Sequence, residues 1–334
     1  MSASVGRPPF YLGIDLGGTN VKSGVVDDDG QPRSSISIKT HADRGPEAGI
    51  ATLAEAGRQA VEASGLSWDE IVGVGLGSPG TMDIPAGMLL DPPNLPGWQN
   101  LPIRDLLAAR LGKPTVLQND ANAAAYGEYW AGAGKGVTSL VLFTLGTGVG
   151  GGIVERGRII EGSHSHGGEC GHIVIQMENG RQCGCGGYGH LEAYASATAL
   201  VKRALEALEL TDEPTALRKH LAEGRLSARS INEASLAGDS LAGLLMRETA
   251  HYLAVGAVCM MHTINPDMIL FAGGMSNAGP EFMELIREGV KRMAFPLPAS
   301  KTLIDYATLG EEAGYIGAAG CARMAFGPGK LSDD

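Results

Sequence analysis

One pattern occurs twice in this chain and limits the folds open to it. A β-type run, a small Gly/Thr turn and a second β-type run follow one another as FYLGID, LGGTN and VKSGVVDDDG near the start. The same grammar returns from Ser139 as SLVLFT, LGTGVGGG and IVERGRIIEG. Each copy leaves through an acidic turn that ends in glycine. The repeat points to a weak internal duplication, with two related halves that each open on a hairpin. Around the copies, helical and strand signals alternate. GPEAGIATLAEAGRQAVEASG has helical spacing, DEIVGVGLGSPG returns as a buried strand, and PTVLQND runs straight into the alanine-rich ANAAAYGEYWAG. That alternation predicts an α/β fold, with ligands at the carboxyl ends of strands.

At 334 residues the chain is long for one core. Two lobes are expected: a small one over 1–121, with the helix at 311–327 packing back on it, and a large one over 122–310. The 50 glycines are not linker. They cluster beside apolar runs, in DLGGTN, GVGLGSPG, LGTGVGGG, CGCGGYG and FAGGM, where a tight turn can bring backbone to a ligand. A formal net charge of −11 with no Lys/Arg block argues against a nucleic-acid partner. Two long apolar stretches are interrupted, one by a glycine turn and one by His262, Asn265, Pro266 and Asp267, so neither predicts a membrane span. Five cysteines and an N-terminal MSASVGRPPF without an apolar core predict a cytoplasmic protein with reduced thiols.

The stretch GTGVGG, Gly146 to Gly151, satisfies the spacing of a dinucleotide fingerprint but fails its context. That fingerprint must open a helix, and here GIVERGRII continues as β structure. No phosphate-binding loop of the G-x-x-x-x-G-K-[ST] kind exists either. What remains is a pair of hairpin turns, each carrying a threonine (Thr19, Thr147), with Asp15 ending the first strand. Backbone N–H groups and a hydroxyl can hold phosphate oxygens, and an acid at a strand end can hold Mg2+ through water.

Seven segments in order, DLGGTN, GLGSPG, NLPGW, NDANAAAYGE, LGTGVGGG, GGECGH and CGCGGYGHLE, resemble the ROK family of sugar kinases, in the pattern of bacterial ATP-dependent glucokinases. The resemblance spans about residues 11 to 325. It implies a two-lobed, actin-like ATPase fold of the ribonuclease H-like class, binding sugar and Mg-ATP in an interlobe cleft, in a homo-oligomer. It implies phosphorylation of glucose at the 6-hydroxyl, with Asp120 as the general base. Asn94, Asn119, Glu169, His172 and Glu192 would join Asp120 around the sugar. Asp15, Gly17, Gly18, Thr19, Thr147, Gly148, Gly273 and Gly274 would serve ATP and its magnesium. A carboxylate suffices as base, because positioning and charge neutralisation supply most of the catalysis in phosphoryl transfer.

Asp120 has a plainer role open to it, as the N-cap of the helix that follows. Trp98 could offer a stacking face to sugar, although burial behind its Pro-Gly turn is the better expectation. Lys22 could reach a phosphate or stand as a solvated strand lysine. Kinases for N-acetylmannosamine, fructose or mannose are alternatives to glucokinase. A sugar-sensing repressor is disfavoured, since fewer than fifteen residues precede Asp15.

Cys183 and Cys185, one residue apart, are bracketed by His172 and His190. Zinc takes four such ligands, and four protein ligands leave no open position for a catalytic water. The spacing is similar to the family's zinc site, with His190 where a third cysteine is usual. Structural zinc would then order the loop that presents Glu169 and Glu192.

Overall fold

The computed structural model describes residues 8–92 and 95–328, and the duplicated hairpin heads two five-stranded sheets of the same strand order. The chain divides into two compact units. The first runs to Val137 and also takes in Gly152–Gly168 and everything from Thr308 on. The second comprises Thr138–Gly151 and Glu169–Ala307. The helix Asp120–Trp130 and the segment 152–168 therefore group with the first unit, whereas a boundary at 121/122 was expected.

In the first unit, β1 (Phe10–Leu16), β2 (Asn20–Asp27), β3 (Ile36–Lys39), β4 (Ile71–Ser78), the small hairpin β5 (Thr81–Asp83) and β6 (Met88–Asp91), and β7 (Thr115–Asn119) follow in turn. The sheet order is β3-β2-β1-β4-β7. β1 pairs antiparallel with β2 and parallel with β4, and β4 pairs parallel with β7. The period of two sends Phe10, Leu12, Ile14 and Leu16 of β1 into one core with Ile50 and Leu53 of the helix Pro46–Ser64. Each such fully buried side chain contributes about 1.5–3 kcal/mol relative to exposure. Trp98 is buried in this same core.

The other face of β1 carries Tyr11, Gly13 and Asp15. Tyr11 packs with Tyr315 and Ile316 of the closing helix Ala313–Phe326. That helix lies so close that a Cβ on Gly13 would sit 1.8 Å from the Tyr315 carbonyl oxygen, and one on Gly75 would sit 1.7 Å from that of Ala318. A sheet covered on both faces reads as a continuous apolar run.

The second sheet has β8 (Ser139–Leu145), β9 (Val149–Glu155), β10 (Arg158–Ile159), β11 (Met268–Ala272) and β12 (Leu303–Tyr306), in the order β10-β9-β8-β11-β12. β8, β11 and β12 are parallel neighbours, as are β1, β4 and β7 in the first sheet. The segment LGTGVGGG is not all turn, because β9 begins at Val149, inside the glycine run. The reason is packing: a Cβ on Gly152 would meet the Ala125 Cβ at 2.6 Å and the Ala121 carbonyl at 2.8 Å. The last of these glycines admits the helix Asp120–Trp130 rather than bending the chain. No described helix is long and apolar enough to cross a membrane.

Candidate active site

In the first unit, the site residues gather at the carboxyl ends of β1 and β7. The alternation along β1 places Asp15 on the face toward the closing helix, where a Cβ on Gly314 would come within 2.4 Å of its carboxylate. Asp120 follows the last residue of β7 and begins the helix Asp120–Trp130. Its cap is Asn119, whose Oδ1 accepts the N–H groups of Ala121 and Asn122 at 3.0 and 3.2 Å. The Asp120 carboxylate lies one position further on, taking the Ala121 N–H at 2.8 Å. Capping therefore falls to the neighbour, and the reading of Asp120 as the N-cap does not hold.

The two acids interact. Burial pushes the Asp15 carboxyl up to about 7, the Asp120 charge adds to the rise, and Lys22 opposes it. A carboxylate whose ionisation is opposed by burial and by a neighbouring acid makes a receptor for a cation. Lys22, across the hairpin from Asp15, gives its ammonium to Glu311 at 2.7 Å.

The adjoining turn is built with its carbonyls inward. Gly17 N–H bonds the Asn20 carbonyl at 3.0 Å. Buried Thr40, just past β3, donates its hydroxyl to the Gly17 carbonyl at 2.6 Å and its N–H to that of Thr19 at 3.0 Å. Gly18 and Thr19 are exposed, and no described carbonyl accepts from their N–H groups. Such a turn presents donors outward, as anion-binding nests do.

In the second unit, the turn after β8 is tighter, with Gly146 N–H bonding the Gly148 carbonyl at 3.0 Å. Thr147 stands exposed at its tip. Beside it, Gly273 has φ 91°, and a Cβ there would lie 2.4 Å from the Leu145 carbonyl, so only glycine fits. Gly274 follows, exposed and with open space around it.

Glu192 begins the short helix Glu192–Ala195 and holds two things at once. Its Oε2 accepts the Val149 N–H at 2.9 Å, and its Oε1 accepts from the Cys183 thiol at 3.3 Å. Gly148 is pressed against the same carboxylate, since a Cβ there would come within 2.3 Å of it. Gly171 packs on the Val149 backbone as closely, its Cβ position being 1.8 Å from the Val149 carbonyl. The Gly/Thr turn and the Cys/His loop are thus one packed piece.

That loop brings His172, Cys183, Cys185 and His190 together, with one ligand atom from each lying within 4.8 Å of the others. His172 Nδ1 is 3.3 Å from His190 Nδ1 and 3.8 Å from Cys183 Sγ, and Cys185 Sγ is 3.3 Å from His190 Nδ1. A zinc tetrahedron with bonds of about 2.3 Å to sulfur and 2.0 Å to nitrogen has edges of about 3.3–3.8 Å. The residues fit the ion. Burial, more than any other cause, pushes the Cys183 thiol up to about 12, a cost that a bound dication reverses. With Nδ1 turned into the cluster, His172 turns Nε2 outward to within 3.9 Å of the exposed Glu169 carboxylate.

Each unit therefore gathers its own share of the expected residues. Asn94 lies outside the described residues. Sequence reasoning did not single out Thr40, Gln118 or Glu161. The side chains of Gln118 and Glu161 meet at 2.7 Å directly behind Asn119. Their signal is a contact between residues far apart in the chain, which no local pattern carries.

Residues 11–324 match the ROK family. A glucokinase from Thermotoga maritima is 35% identical over 316 residues, covering 95% of this chain and 98% of its own. The crystal structure of a ROK hexokinase from Thermus thermophilus superposes with a TM-score of 0.82 at 34% identity, over 95% of this chain and 98% of that one. A ROK-family glucokinase from Streptomyces griseus, solved with glucose and AMPPNP, gives a TM-score of 0.77 at 33% identity, over 94% and 99%. The actin-like ATPase fold expected from the motifs is the one these matches support.

Proposed function

The chain belongs to the ROK family, and we propose that it transfers the γ-phosphoryl group of ATP to the 6-hydroxyl of glucose, with Asp120 as general base. The observation that carries this reading is the joint placement of Asp15, Asp120 and the Gly17–Asn20 turn at the carboxyl end of one sheet's parallel strands, with the cap of the helix assigned to Asn119. A base, a cation receptor and an anion-binding turn are what phosphoryl transfer to an alcohol needs.

In the proposed reaction, an Asp120 carboxylate oxygen accepts the hydroxyl proton as the sugar oxygen bonds to the γ-phosphorus. The bond from phosphorus to the β,γ-bridging oxygen breaks, and ADP leaves with that electron pair. Asp15 would hold Mg2+ through water, and the ion, when bound, neutralises charge on the phosphates. Gly17, Gly18, Thr19, Thr147 and Gly148 would line the phosphates, and Gly273 and Gly274 the nucleoside. Asn94, Asn119, Glu169, His172 and Glu192 would read the sugar hydroxyls. Zinc on His172, Cys183, Cys185 and His190 would be structural, because four protein ligands complete its tetrahedron.

A panel of hexoses assayed with Mg-ATP tests the reading. Glucose should show the highest kcat/KM, with 2-acetamido sugars poorer by at least about tenfold, since a pocket that bonds a hydroxyl penalises an analogue lacking it. A higher value for N-acetylmannosamine would replace glucose as the substrate. No transfer to any hexose would remove the kinase assignment.

A further inference from the structure

β7 is the last strand of its sheet, so no further strand takes up the N–H of its final residue, Asn119. The Gln118 side chain does so instead, its Oε1 accepting that N–H at 2.8 Å. Gln118 is itself buried, and its Nε2 donates to Glu161 Oε1 at 2.7 Å. Glu161 follows β10 and heads a short loop that closes on itself where Gly167 N–H meets the Glu161 carbonyl at 2.6 Å. The same loop touches the next helix at a second point, where Asn122 Nδ2 donates to the Gly167 carbonyl at 3.4 Å. The polar chain thus runs from Glu161 through Gln118 to the peptide one residue before Asp120.

We propose that Gln118 and Glu161 are positioning residues for Asp120. Neither touches the reacting atoms. A glutamine can accept from the Asn119 N–H with its oxygen only if its NH2 points the other way, and the Glu161 carboxylate, which can only accept, selects that orientation. The amide is thereby fixed, with it the peptide at Asn119, and with that the direction in which Asp120 leaves the strand. A mostly buried hydrogen-bond pair of this kind is costly to break halfway, which makes it a stiff support. The proposal rests on Asp120 being the base.

The test exchanges the partners. In Gln118→Glu the donor is lost and two carboxylates face each other, so kcat should fall by about 10- to 100-fold, the scale on which a 1 Å misplacement acts. The KM for sugar should stay within about threefold, because binding does not need the base aligned. Glu161→Gln keeps an acceptor opposite Gln118 and should retain kcat within about threefold. In the double variant Gln118→Glu with Glu161→Gln, the new amide donates to the new carboxylate, which still accepts from Asn119. Here kcat should recover to within about fivefold of wild type.

Retained kcat in Gln118→Glu would overturn the proposal, and so would a double variant no faster than Gln118→Glu. Equal losses in all three with lowered melting temperatures would do the same, by marking the pair as merely structural. Turnover surviving in Asp120→Asn would instead sink the reading on which the proposal rests, a result distinct from any of these.

Discussion

The two sheets share a strand order, and each opens on a strand that ends in a Gly/Thr turn, yet the turns are held in different ways. In the first unit, the turn Gly17–Asn20 is pinned by Thr40, which directly follows β3 of the same sheet. In the second, the turn at Gly146–Gly148 is pinned from outside the sheet. Glu192 accepts the Val149 N–H, and the Ala197 N–H donates to the Gly146 carbonyl. Both of those residues lie in the long insertion between β10 and β11 that also carries the four Cys/His ligands. The acids differ as well: Asp15 precedes the Leu-Gly of the first turn, whereas Thr144 stands in that place in the second. The first copy carries an acid just before its turn, where the second carries a hydroxyl. The turn of the second copy is held by the loop that carries the Cys/His cluster.

Removing the charge from the first copy should have a larger effect than any change made in the second. Asp15→Asn should lower kcat by at least about 100-fold, since the Mg2+ receptor is lost. The same change should stabilise the free protein. The Asp15 carboxyl is raised to about 7 in the folded state from 3.8, so the folded state binds the proton more tightly than the unfolded chain. Stability is therefore lost as pH rises from about 4 to about 7, and stays lost above. Melting temperatures of the free variant should exceed those of wild type by a few degrees at pH 8 and by less at pH 5. An unchanged or reversed difference would mean that Asp15 is ionised without cost.

Metal removal should act on the second copy, more weakly. The protein should carry about one zinc per chain, and stripping it should weaken glucose binding by about tenfold, because ordering a loop costs about 1–2 kcal/mol per fixed residue. ATP affinity should fall by less, about two- to fivefold, through the Glu192 contact to Val149. His190→Cys should keep the metal and His190→Ala should lose much of it, as read by metal analysis alongside the two titrations. Full zinc and unchanged glucose affinity in His190→Ala would take His190 out of the site.

The smallest change is expected at Lys22. Its partner Glu311 is exposed, and such pairs contribute little. Lys22→Ala should leave turnover within about threefold. A loss of a hundredfold would place Lys22 on a phosphate.

Much of this organisation was legible in the sequence. The strand β1, the helix Pro46–Ser64 ending at Gly65 in the left-handed region, and the helix Ser240–Ile264 closed by Asn265 all announce themselves through period, cap and stop signals. So did the four residues of the Cys/His cluster, because two cysteines one residue apart are rare enough to notice. The short strand Leu303–Tyr306 and the helices Ala216–Ala222 and Ala228–Leu236 were not foreseen. The start of β9 inside the glycine run was also hidden, since glycines needed for helix packing at Gly152 look like glycines needed for a turn. The assignment of the cap to Asn119 rather than Asp120 depends on which of two adjacent side chains reaches back, a choice that composition does not express. The Glu161–Gln118 contact joins residues 43 apart in the chain and became visible only in three dimensions.

We propose that Asp120 is the base of the transfer and not a binding contact, and Asp120→Asn measures this most directly. The substitution keeps the shape of the side chain and one oxygen to accept the Ala121 N–H, and removes only the capacity to take a proton. Single-turnover phosphorylation and equilibrium glucose binding should be measured on the same preparation. Transfer should fall by at least about 1,000-fold while the glucose Kd stays within about tenfold of wild type. Turnover within about tenfold of wild type, or a glucose affinity that collapses together with turnover, would contradict the claim and make Asp120 a binding contact instead of the base.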